Sequence, residues 1–126
     1  MGGRLEWNGN RREIDTLDEL DRILDELEGQ AEEPFMVELF RDDGASLSLG
    51  LGRGVTVLDY VRADFNPPYR QTYAPGTTQQ SIWFRFRGDA SEFPPEATVP
   101  YPKGRAALRH FFVTGELTPD LSWRET

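Results

Sequence analysis

The 126-residue chain has no cysteine, one histidine and one lysine. Without thiols there is no disulfide, no Cys-based zinc site and no cysteine nucleophile. The lone imidazole, His110, cannot supply a multi-histidine metal centre, and no G-x-S-x-G elbow accompanies it for a serine triad. A structural or exposed place in a helix is the better account of it. No apolar run approaches the roughly 20 residues of a membrane span, and no charged start followed by an apolar stretch marks export. The expectation is a soluble, cytoplasmic protein with no metal, no cofactor and no membrane partner.

What is present suits a globular chain. Aromatic residues make up 12% of the sequence, far more than a disordered acidic tail would carry. The length fits one domain, 1–126, able to bury a real core. The net charge of −8 argues against direct nucleic-acid binding, which needs clustered Lys and Arg. That charge is local. Residues 13–33 hold ten acids against Arg22, a net −9, and the rest of the chain is +1.

The alternation of Leu5, Trp7 and Ile14 around Asn8-Gly9 predicts a hairpin. Thr16, with Glu19 three residues on, forms a capping box. Leu17, Leu20, Ile23, Leu24 and Leu27 then line one face of a helix over 17–28, with Gly29 expected as its left-handed stop. "FMVELFR" (35–41) reads as a strand that turns at Asp42-Asp43-Gly44. Leu47, Leu49 and Leu51 follow as the inner face of a half-buried partner strand, with Gly50, Gly52 and Gly54 on or beyond its outer face.

Residues 55–61 are a further strand, 64–80 a long loop with three prolines, and 81–87 a strand with Ile82, Phe84 and Phe86 on its apolar side. The four prolines in 92–104 exclude regular structure there. A second helix spans 102–113, with Ala106, Leu108, Phe111 and Phe112 as packing candidates and Gly115 as its stop. "LSWRE" closes as a short strand. The fold class is α+β: a mainly antiparallel sheet of five to seven strands with two helices on one face.

Few motifs carry chemistry. "GLGRG" lacks the third glycine and following helix of a dinucleotide loop. "NPPYR" lacks the P-P-x-Y spacing of a proline-rich ligand. Among twenty-two carboxylates chance pairs are certain, so a glycosidase-like pair cannot be assigned. Two features stand apart from folding. Phe65, Tyr69 and Tyr73 share one loop, and exposed aromatics anchor protein interfaces. The helix at 17–28 is acidic along its whole outer face, including its C-terminal turn, where Asp25, Glu26 and Glu28 oppose the dipole. A solvated face explains that polarity without explaining its single sign.

The order of "LEWNG", "TLDELDRILDELE", "LSLGLG", "TVLDY", "PPYRQTY", "EFPPEATVP" and "ALRHFFVTGELTPDLSWRE" resembles, almost end to end, family one of the immunity proteins of bacterial polymorphic-toxin systems. The resemblance implies a cytoplasmic, non-enzymatic antidote that binds one cognate toxin domain, encoded beside it and often a nucleic-acid deaminase, and blocks its active site. It supplies no catalytic residues. The motif positions Trp7, Gly50, Gly52, Tyr60, Trp123 and Glu125 read as scaffold. A basic toxin would meet the acidic protein through complementary potential. The candidate contacts are Asp18, Asp21 and Asp25 on the helix, Asp59, Tyr60, Asp64, Phe65, Tyr69 and Tyr73 along 59–73, and Glu92 in "SEFPPE". An acidic adaptor or secretion chaperone for a basic protein is the alternative, and the oligomeric state is open.

Overall fold

The computed structural model describes residues 2–30, 32–76 and 80–126, so part of the expected loop, 77–79, lies outside the described residues. Strands β1 (Gly3–Trp7) and β2 (Asn10–Ile14) form the first hairpin. Asn8 and Gly9 both take positive φ, 45° and 81°, as the tightest hairpin turn requires. Helix α1 (Leu17–Gln30) starts at the expected box. The Thr16 hydroxyl oxygen accepts from the Glu19 amide (3.1 Å), and the Glu19 carboxylate accepts from the Asp15 amide (3.3 Å). Gly29 is not its stop. It stays inside the helix, outside the left-handed region, because glycine permits that conformation without compelling it.

Strands β3 (Phe35–Arg41) and β4 (Ser46–Leu51) pair antiparallel, as read, around the Asp42–Gly44 turn. The expected strand at 55–61 breaks at Val57 into β5 (Val55–Thr56) and β6 (Leu58–Val61). Inside the expected loop the chain forms β7 (Arg70–Thr72), which joins β6 and the terminal strand. β8 (Ile82–Phe86) pairs with β9 (Asp89–Phe93). The proline-rich stretch is more regular than its composition suggests. It carries a short 3-10 turn (Pro95–Ala97), β10 (Val99–Pro100) and the start of helix α2 (Tyr101–Thr114). Pro100 and Pro102 flank the helix start, where a missing amide costs nothing. Gly115, at φ 79°, ends α2 as expected, and β11 (Trp123–Glu125) closes the chain.

Among the described residues the main sheet has nine strands, more than five to seven, because β7 and β9 are too short or too polar to read. The path runs β11-β7-β6-β4-β3-β1-β2, with β8 and β9 attached to β3, and β5 and β10 form a separate pair. Apart from the β3–β8 contact the pairing is antiparallel, so the fold is α+β. Both helices pack on one face. Leu20, Ile23, Leu24 and Leu27 of α1 and Ala107, Leu108, Phe111 and Phe112 of α2 join Leu39, Leu47, Leu49 and Leu51 in the larger core. Ala107 takes the place expected of Ala106, which is exposed.

The opposite face is not open along β4, contrary to the half-buried hairpin read from alternation. Every residue of β4 is buried. The β8–β9 hairpin folds over this face and builds a second core from Met36, Val57, Ile82, Phe84, Phe93 and Ala97. Gly50 sits directly beneath Phe84, and a Cβ there would lie 2.5 Å from the ring. Gly52 and Gly54 are the turn glycines, at φ 102° and 75°.

Candidate protein-interaction site

The β8–β9 hairpin covers only part of the second face. Beside it lies a groove of about 400 Å³. Its floor is set by sheet register. Glu38 of β3 faces Ser48 of β4, Ser48 faces Asp59 of β6, and Asp59 faces Gln71 of β7. Directly paired residues share a face, so four polar side chains form one row across four strands.

The two acids of the row have distinct electrostatic states. Glu38 is 8% exposed and accepts a two-pronged bond from Arg87, 3.1 Å from Nε and 2.8 Å from Nη2. Arg87 sits at the β8–β9 turn with φ 52°, followed by Gly88 at φ 86°. The Glu38 hydrogen bond holds the Arg87 pKa above its ordinary value against the opposing effect of burial. Asp59 differs. Its Oδ1 accepts one bond, from Gln71 Nε2 at 2.9 Å, and burial pushes its pKa up while that bond pulls it down. Its second oxygen has no hydrogen-bond partner among the described residues.

Aromatic side chains form the rim. Phe65 is 63% exposed and Tyr69 40%, with Phe86 on the far wall. The Tyr69 hydroxyl donates to the Phe65 carbonyl oxygen (3.1 Å), which ties the two together. Phe65 holds φ 62°, an uncommon conformation for a bulky residue and one that clusters at functional loops. Asp64 precedes it. Its carboxylate accepts from the Asn66 amide (3.0 Å) and pairs with Arg62 (2.9 Å), and both hold its pKa below the usual range.

The acidic helix is organised differently. Arg105 of α2, 19% exposed, reaches three α1 carboxylates: Asp25 at 2.7 Å, Glu28 at 3.0 Å and Asp21 at 3.3 Å. It also donates to the Asp21 carbonyl oxygen, and Arg109 adds a second pair to Asp21 at 3.1 Å. Tyr101 completes this seam. Burial, then the neighbouring Glu28 carboxylate, push its pKa up, and its hydroxyl has no hydrogen-bond partner among the described residues. Much of the single-signed charge of α1 is therefore complemented within the fold.

The family model described as Immunity protein Imm1 matches residues 8–125, nearly the full length of the chain. The chain belongs to the Imm1 family. No curated protein matches it. Several motif positions that an Imm1 resemblance marked as scaffold do lie in packing positions. Tyr60 packs edge-on against Phe111 from the helix side at 6.0 Å between ring centres, and Trp123 is half-buried against the larger core.

Of the contact residues read from sequence, Asp59, Phe65 and Tyr69 meet at the groove of this Imm1 fold, with Asp64 next to it, whereas Tyr60 borders the groove but turns its ring to Phe111 on the helix side. Asp21 and Asp25 belong to the Arg105 seam, and Asp18 is exposed on α1. Tyr73 lies under the Arg124 guanidinium, 4.7 Å from its ring centre, and Glu92 accepts from the Ser81 hydroxyl on β9. Neither of these lines the groove. His110 is half-buried in α2, where its carbonyl oxygen accepts from Thr114. Sequence reasoning missed Glu38, Ser48, Gln71 and Arg87. The signal available was Glu38 itself, a lone acid inside the apolar strand "FMVELF". No helix among the described residues is long and apolar enough to cross a membrane.

Proposed function

We propose that the chain is a cytoplasmic antidote that binds the folded toxin domain encoded beside it and blocks that domain's active site by occupying it. Family membership over residues 8–125 carries this reading. Immunity proteins act by binding, and the chemistry of this chain is consistent with binding alone: it has no cysteine and a single histidine. The toxin is a basic, nucleic-acid-modifying enzyme, a deaminase being the type the family resemblance suggests. The net charge of −8 supports that partner, because a channel that holds nucleic acid is positive and attracts an acidic inhibitor. Complementary charge mainly raises the association rate, which matters to an antidote that must act before damage accumulates.

Co-expression with the neighbouring toxin gene tests the reading. Cells carrying both genes survive, and the purified chain forms a stable complex with the isolated catalytic domain. Binding only to an unfolded leader segment would instead make the chain a secretion chaperone. Absence of both protection and binding would remove the antidote reading.

A further inference from the structure

The exposed features of the chain are not equally available to a partner. The α1 carboxylates facing α2 are engaged by Arg105 and Arg109. The groove on the other sheet face keeps an acid with an unused oxygen beneath exposed aromatic rings. We propose that this groove is the surface on which the toxin domain docks, and that it receives a cationic side chain of that domain, an arginine or a lysine, laid over Ser48 between Asp59 and Glu38. This deepens the antidote reading above and rests on it.

Four observations support the assignment. First, a cation is the group that a half-buried carboxylate with one hydrogen bond lacks, and burial already disfavours the ionised form of Asp59. Second, Arg87 shows that the floor accepts a guanidinium in forked geometry, since it holds Glu38 that way from the chain's own turn. Third, the spacing fits. Glu38 and Asp59 stand two strands apart, about 10 Å between Cα atoms at normal sheet spacing, with only the small Ser48 between them. Fourth, Phe65, Tyr69 and Phe86 offer ring faces and apolar surface for the stem and head of a long cationic side chain. The bond from Tyr69 to Phe65 holds part of this rim in place before binding, which limits the entropy lost on docking.

Binding kinetics of the full chain against a catalytically inactive form of the neighbouring toxin domain test the assignment. The variants are Asp59→Asn, the double variant Phe65→Ala with Tyr69→Ala, and Asp18→Lys with Glu26→Lys as an α1 control. Both groove variants should weaken binding on the order of 30-fold or more, chiefly through faster dissociation. The α1 control should change the affinity by less than about 3-fold, with slower association only at low salt. Urea unfolding of Asp59→Asn at neutral pH should show a fold at least as stable as the parent, which separates lost contact from lost structure. Wild-type affinity in both groove variants would overturn the docking site while leaving the antidote reading intact. Failure of the unmodified chain to bind would remove both.

Discussion

Replacing Arg105 by Met tests whether the charge of α1 is part of the fold. Methionine keeps an apolar stem against the helices and removes the cation. The guanidinium is 19% exposed, whereas its partners are more open: Asp21 at 28%, Glu28 at 29% and Asp25 at 70%. An ion pair as open as that with Asp25 contributes about 0.5 kcal/mol. The bonds to the Asp21 carbonyl and carboxylate and to Glu28 are better shielded and together contribute about 1.5 kcal/mol after solvent screening. The expected loss is therefore about 2 kcal/mol, below the 3–5 kcal/mol of breaking a fully buried pair. Equilibrium urea unfolding reads this as a midpoint lowered by roughly 1 M at a typical slope. Neutralising Asp21, Asp25 and Glu28 together in the Arg105→Met background should restore part of the stability, because three neighbouring carboxylates no longer repel one another. A loss below about 0.5 kcal/mol would refute the seam as a structural element.

Two further substitutions probe the second sheet face. Gly50→Ala should destabilise the chain by about 1–3 kcal/mol in the same unfolding assay, since the added methyl meets the Phe84 ring and the β8–β9 hairpin must shift; an unchanged midpoint would contradict the close approach. Asp59→Asn should give a chain more stable than the parent at neutral pH. The raised pKa of Asp59 means that its favourable neutral form is fully present below its ordinary value of 3.8 and lost as pH rises through the raised value. Asparagine does not titrate, so the gain should vanish at low pH, with the nearby Glu38–Arg87 pair common to both proteins. Parallel stability–pH profiles would count against it.

Much of the α+β plan was legible in the sequence where local signals are strong. The Asn8-Gly9 hairpin, the Thr16 box, the apolar stripe of α1 and the αL stop at Gly115 each depend on a few neighbouring residues. What was not legible depends on distant ones. Strict alternation of Leu47, Leu49 and Leu51 implied a single buried face, yet serine and glycine at the intervening positions mark a second layer pressing on the strand. Small residues read as outward when in fact they admit a close neighbour. The same limit applied to the site. The aromatic loop at 65–69 was visible, but Glu38, Ser48 and Gln71 join it only through strand register. The acidic sign of α1 looked unexplained by folding because its complement, Arg105, lies 77–84 residues away in the chain.

Hydrogen exchange of the chain, alone and with the inactive toxin domain, tests the central claim most directly. Binding through the sheet groove should slow exchange along residues 59–71 and at the 86–88 turn and leave the amides of α1 unchanged. Protection confined to α1, with the groove exchanging as in the free chain, would contradict it.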